Sequence, residues 1–252
     1  MISKKVTLQK IDCELTRAKE IELYILRTDL IHPAIGGNKL FKLKYNLLKA
    51  KAENKNLILT FGGAYSNHIA ATAAAGNEQG FSTIGIIRGE DDPENPTLQF
   101  ARNNGMQLRF YNRSLYRDKI ALQKQIENEY PAGTIYTIPE GGSNKEGVIG
   151  CKEITELINI PFNAICCPCG TGTTLAGITL SLSEGQRAIG FQVLKGEGYI
   201  RSEVEQLLNQ FDSAPYKNWR VEEDFHFGGY AKVNQYLINF ISSFEKEHHI
   251  PL

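Results

Sequence analysis

Three glycine-bearing segments set reactive side chains at the starts of helices. The first is Gly36-Gly37-Asn38-Lys39. Two glycines let the backbone turn tightly and approach a ligand. Lys39 falls in the first turn of the helix that follows, where the positive end of the dipole disfavours an ammonium ion. A lysine held as the free amine is a candidate Schiff-base nucleophile. A glycine turn followed by a solvated lysine remains the plainer reading of this motif alone.

The second segment is Cys169-Gly170-Thr171-Gly172-Thr173-Thr174, between an expected strand and helix. Exposed N–H groups and a helix N-terminus there form a cradle for phosphate, with threonine hydroxyls as further donors. No Gly-Lys-Ser/Thr ending follows, which excludes an ATP-type P-loop, and the spacing is not that of a dinucleotide fingerprint. A ligand with a single phosphate fits better, and an ordinary βα turn is the alternative. The third segment is Gly62-Gly63-Ala64-Tyr65-Ser66-Asn67-His68. Its N–H groups and hydroxyl could hold a carboxylate, and Asn67 could bond a phenolic oxygen. A bare helix cap at Ser66 is the alternative.

These loops need elements to carry them. Apolar runs and turn residues predict strands over 22–27, 57–61, 82–88, 107–111, 135–138, 164–167 and 188–193, the last clear strand. Helices are expected over 39–51, from Ser66 or Asn67 to Gln79, from Asn95-Pro96 to Gly105, and over 114–130. Further helices run from the Pro-Glu-Gly-Gly-Ser-Asn loop to Leu157 and over 174–182, 200–211 and 234–246. Leu40, Leu43, Leu47 and Leu48 give the first helix its apolar face. The alternation predicts an α/β protein with a mostly parallel sheet covered on both faces, and ligands beyond the C-terminal strand ends.

Bulk properties exclude several classes. Lys plus Arg and Asp plus Glu both number 28, so nothing calls for nucleic acid or an acidic membrane. No stretch approaches the roughly 18 apolar residues of a membrane span, and the N-terminus shows no signal peptide. Five cysteines, three of them at 166, 167 and 169, argue for a reducing cytoplasm over a disulfide scaffold. They lack a second ligand pair at zinc spacing, so no metal site is expected and the thiols read as inert core. His248-His249 reads as a solvated helix end.

Taken together, RTDLIHPAIGGNKLFKLKYNL, TFGGAYSNHIAATAAAG, IPEGGSN, CGTGTTLAG and HFGGYAKV resemble the 1-aminocyclopropane-1-carboxylate deaminase / D-cysteine desulfhydrase family of pyridoxal 5′-phosphate (PLP) enzymes. The resemblance runs from about Leu26 to the chain end. It implies the two-domain fold type II, similar to the tryptophan synthase β subunit. A smaller α/β domain over 46–132 would be inserted in a larger one built from 1–45 and 133–252. Lys39 matches the Schiff-base lysine and Lys42 a lysine near the phosphate. Asn67 matches the asparagine facing the PLP 3′-oxygen. Gly170, Thr171, Gly172, Thr173 and Thr174 match the phosphate loop. Ser66, Asn67 and His68 match the substrate-carboxylate loop, with Ser66 also a candidate proton relay. Tyr230 matches an active-site tyrosine, and a small amino acid and a homodimeric partner are implied.

Two departures stand out. The chain stops at His249-Ile250-Pro251-Leu252, where the family continues into segments that supply a second tyrosine and the group facing the pyridine nitrogen. A C-terminally shortened member is therefore the expectation. Tyr65 stands where many relatives carry Gln, and its bulk could narrow the substrate pocket. His68 in place of Gln makes the loop more like the desulfhydrases. The expected activity is elimination from D-cysteine to pyruvate, ammonia and sulfide. The alternatives are ring opening of the cyclopropane substrate to 2-oxobutanoate and ammonia, or a non-catalytic remnant that binds PLP or phosphate.

Overall fold

The computed structural model describes residues 6–211, 216–229 and 232–251. The first half of the chain forms β1 (Leu8–Ile11), α1 (Glu14–Ala18), β2 (Leu23–Leu26), α2 (Asn38–Ala52), β3 (Leu57–Gly63), α3 (Asn67–Gln79), β4 (Ser82–Arg88), α4 (Pro96–Asn103), β5 (Met106–Tyr111), α5 (Arg113–Tyr116) and α6 (Lys119–Glu127). The second half adds β6 (Ile135–Ile138), α7 (Lys145–Glu156), β7 (Ala164–Cys169), α8 (Thr173–Ser181), β8 (Arg187–Gln192), α9 (Tyr199–Leu208), β9 (Trp219–Glu222) and α10 (Gln235–His248).

The Leu- and Ile-rich runs of β3 and β4 suit strands buried on both faces, and they are the two inner strands of a parallel sheet ordered β5-β4-β3-β6. Alternate side chains of β3 serve different layers. Ile58 packs with Leu43, Leu47, Ala71 and Ala74 of α2 and α3, while Leu57, Leu59 and Phe61 meet Tyr116, Leu122 and Ile126 of α5 and α6. A second parallel sheet runs β7-β8-β9, and β1 pairs with β2 antiparallel. On the second sheet Cys169 and Ala188 face a core shared with Leu175, Ile200 and Val204. The expected α/β architecture with mostly parallel sheets is present. No helix among the described residues is long and apolar enough to cross a membrane.

Several elements differ from the sequence expectation. The helix expected over 114–130 is broken, because the Asp118 carboxylate accepts from the Ala121 N–H at 3.0 Å and starts α6 afresh. β9 lies beyond the expected last strand; four residues with Arg220 and Glu222 among them carry little apolar signal. Leu48 is 53% exposed, because it sits about 100° around the helix from the buried Leu47. Cys166 points outward and is exposed, unlike the inward Cys169. His248 is half-buried: its ring packs on Phe244, and its carbonyl accepts from Gln9.

Three glycines set the spacing that matters for the site. A Cβ on Gly150 of α7 would overlap the Phe41 carbonyl of α2, and one on Gly147 would overlap the Gly142 carbonyl. A Cβ on Gly177 of α8 would lie 2.7 Å from the Val148 carbonyl. Helix α7 therefore packs backbone to backbone between α2 and α8.

Candidate active site

The start of α2 carries Lys39. Gly37 precedes the helix at φ 62 and ψ −144 and has no side chain to cap the first N–H groups. The Asn38 side chain reaches across instead. Its Nδ2 donates to Thr174 Oγ1 at 2.8 Å, and its Oδ1 accepts from Lys39 Nζ at 2.9 Å. Burial, reinforced by the nearby Lys42 cation, pulls the Lys39 pKa down to about 7. Near neutrality a large share of Lys39 is therefore the nucleophilic amine.

Lys42, one turn along α2, is 3% exposed, and burial pushes its pKa down. Its Nζ donates to the Gly141 carbonyl at 3.2 Å and faces Thr171 Oγ1 at 3.4 Å. Among the described residues no carboxylate lies within ion-pair distance of it. A buried cation without a counter-charge is costly, and an anionic ligand relieves that cost.

The 170–174 loop sits beside this cation. Thr171 Oγ1 lies 3.1 Å from Thr173 Oγ1, which donates to Ser143 Oγ at 3.0 Å. Gly172 adopts φ 71, and a Cβ there would lie 2.7 Å from Val204 Cγ2. Helix α8 begins after it without any side-chain cap. Its first N–H groups meet no side-chain cap and could take an anion. Gly141 and Gly142, both at φ 69, bring the β6–α7 loop against Thr171 and Lys42. Sequence reasoning left the Gly141 carbonyl, Ser143 and Asn38 without roles. Their signal was the second glycine pair, in Pro-Glu-Gly-Gly-Ser-Asn.

The 62–68 loop leaves β3 on the same side. Gly62 is required there, because a Cβ would lie 2.8 Å from Ser66 Oγ. Ser66 caps α3, accepting from the Ile69 N–H at 3.4 Å. Asn67 is exposed, and Tyr65 is 60% exposed. The His68 side chain departs from the expected placement in the carboxylate loop: it is 2% exposed and turned inward. Its Nε2 meets Thr60 Oγ1 at 2.8 Å, and Thr60 donates its own proton to the Ile138 carbonyl at 2.8 Å. His68 Nε2 must therefore carry the hydrogen, leaving Nδ1 as a buried acceptor without a partner in the protein. Burial, with Lys39 and Lys42 adding to it, holds the His68 pKa well below the usual histidine value, so the ring is neutral. What His68 can offer the loop is its backbone N–H. Tyr230 lies outside the described residues.

A family model for pyridoxal-phosphate dependent enzymes matches residues 8–205. The chain belongs to the pyridoxal-phosphate dependent enzyme family. A Pyrococcus horikoshii relative, provisionally named 1-aminocyclopropane-1-carboxylate deaminase, is 30% identical over 230 residues, covering 84% of this chain and 69% of that protein. The mitochondrial bifunctional D-cysteine desulfhydrase/1-aminocyclopropane-1-carboxylate deaminase of Arabidopsis thaliana is 30% identical over 212 residues, covering 75% of this chain and 52% of that protein. The crystal structure of a 1-aminocyclopropane-1-carboxylate deaminase homologue superposes with a TM-score of 0.86 at 24% identity, covering 100% of this chain and 80% of that one. This pyridoxal-phosphate dependent enzyme is thus of the deaminase and desulfhydrase type, and PLP is its cofactor.

The groups present fit PLP. The open α8 start, the Thr171 and Thr173 hydroxyls and the unpaired Lys42 cation suit a phosphate dianion. A lysine amine beside them suits an aldehyde.

Proposed function

We propose that the enzyme eliminates the β-substituent of a small D-amino acid, with D-cysteine giving pyruvate, ammonia and sulfide. The observation that carries this reading is a buried lysine with a pKa near 7 beside an uncapped helix start and a second, unpaired lysine. The likeness of the 62–68 loop, with His68 in place of Gln, to the desulfhydrases supports that activity over the ring-opening deaminase, although the His68 ring itself is turned inward. In this reading Lys39 holds the cofactor through Nζ. Lys42 and residues Gly170, Thr171, Gly172, Thr173 and Thr174 would hold its phosphate, and Asn67 would bond its 3′-oxygen. Bound PLP supplies an electron sink for the charge left at the substrate Cα.

The protein groups do the rest. The N–H groups of Ser66, Asn67 and His68 hold the substrate carboxylate, and Tyr65 limits the room beside it. Lys39 Nζ, as free amine, takes the Cα proton. Ser66 and Tyr230 handle the proton that the departing group or the product requires. We also assign 46–132 to a smaller unit and 1–45 with 133–252 to a larger one, save that β6, expected in the larger unit, pairs with β3 and so joins the smaller; a cytoplasmic homodimer is the working form.

The test is spectroscopic and then chemical. Protein mixed with PLP should show a visible absorption band that borohydride fixes covalently, and D-cysteine should then yield pyruvate. Lys39→Ala should lose the fixed band and at least about 1,000-fold of the activity. Protein that stays colourless in excess PLP refutes the reading. Release of 2-oxobutanoate from the cyclopropane substrate, without pyruvate from D-cysteine, moves the assignment to the deaminase.

A further inference from the structure

Arg88 ends β4 and pairs in register with Gly63, the second glycine of the 62–68 loop. Gly63 has no side chain in the way, and a Cβ there would lie only 3.8 Å from Arg88 Nη2. The guanidinium is held over this loop by Tyr116, whose ring centroid is 5.8 Å from Arg88 Cζ. Tyr116 is itself buried and packed edge-on against Phe61, with centroids 6.3 Å apart at 73°. A second cation shares that ring: Lys119 Nζ lies 5.5 Å from its centroid. The two differ in one respect. Lys119 is paired with the Glu140 carboxylate, whereas among the described residues no carboxylate lies within ion-pair distance of Arg88.

A guanidinium within cation–π range of a buried aromatic ring is restrained, and its planar fork matches an oxyanion. Its place at the C-terminal end of a parallel strand is where such sheets bind ligands. The loop beneath it already has N–H groups for the substrate α-carboxylate, so this fork is available for another anion. We propose that Arg88 reads a negatively charged group on the substrate Cβ, so that the site takes amino acids with an oxyanion leaving group. This inference rests on the eliminating reading above and narrows it. For D-serine O-sulfate the Cα–H and Cβ–O bonds break. The proton goes to Lys39 Nζ, and the Cβ–O electron pair leaves with sulfate. Water then releases nitrogen, giving pyruvate, ammonium and hydrogen sulfate from one substrate and one water, with no change of oxidation state overall.

The experiment compares D-serine O-sulfate with the neutral β-chloro-D-alanine by pyruvate release, in wild type, Arg88→Gln and Arg88→Lys. The wild type should have the higher kcat/KM for the sulfate ester. Arg88→Gln should lower that value about 10- to 100-fold, mainly through KM, while changing the chloride by less than about threefold; Arg88→Lys should fall between. The visible PLP band and the melting temperature of Arg88→Gln should match wild type. Equal falls for both substrates, or no fall, overturn the inference while leaving the eliminating activity intact. A wild type that is colourless or inert on both substrates overturns the functional reading, and this inference with it.

Discussion

Apart from α1, where the Cys13 N–H donates to Thr16 Oγ1, helix starts among the described residues fall into two kinds. Among the described residues, α3, α4, α5, α6, α7 and α10 begin on Ser66, Asn95, Asn112, Asp118, Asn144 and Asn234, each of which accepts from a backbone N–H of its own first turn. By contrast α2, α8 and α9 begin on Gly37, Gly172 and Gly198 with positive φ and no side-chain cap. The Glu223 carboxylate meets the Gly198 N–H at 3.3 Å, so α9 has an acid of its own. The two open starts that remain, α2 and α8, are joined by the Asn38–Thr174 bond and carry Lys39 and the 170–174 loop. Capped starts serve stability. The open starts of α2 and α8 are the places that the proposed function gives to a ligand.

The strongest way to break this contrast is to supply a cap. Gly172→Asp puts a non-glycine residue at φ 71 against Val204 and a carboxylate where a phosphate is expected. PLP affinity should fall at least about 100-fold in an absorbance titration. Wild-type affinity in that variant would mean that the α8 start is not the phosphate site. Lys42→Met comes next. It should weaken PLP binding about 10- to 100-fold, yet raise the melting stability of the cofactor-free protein by about 1 kcal/mol by removing a buried unpaired charge. A loss of stability there would show that Lys42 is paired without the ligand.

The third effect is one of pH. Below about 7 Lys39 is the ammonium ion and cannot attack an aldehyde, so the rate of cofactor attachment should rise with pH to a midpoint near 7 and then level off. The folded pKa lies below the unfolded value of 10.5. The unfolded chain thus binds more protons between the two, and the cofactor-free protein should gain stability as pH rises through that window. A midpoint near 10 would place Lys39 in water. The smallest effect belongs to the capped kind. Asn95→Ala removes the 3.0 Å bond to the Leu98 N–H and should cost about 1 kcal/mol in denaturant melts, with PLP affinity unchanged.

The three glycine loops were legible in the sequence because their chemistry is local: a turn, a helix start and the donors between them. Partners that arrive through topology were not. Lys42 meets the Gly141 carbonyl 99 residues away and the Thr171 hydroxyl 129 away. A backbone carbonyl leaves no mark in residue type. His68 shows the limit of reading by adjacency. It follows Ser66 and Asn67 in the loop motif, but the helical turn rotates its ring into the core against Thr60. Short elements failed for a different reason: β9 and the α5/α6 break depend on pairing and on one carboxylate, not on apolar periodicity.

The missing side chain at Gly150 has a consequence for how such an enzyme can change. It lets α7 rest on the α2 backbone at Phe41, two residues beyond Lys39. The lysine thus stands on a helix with no slack, and altered packing there would displace the reactive amine itself. Side chains in the loop after β3 and at the end of β4 have more freedom to change, because Tyr65 and Arg88 are exposed. Change is thereby steered toward that loop and strand end, while the start of α2 that bears Lys39 stays fixed.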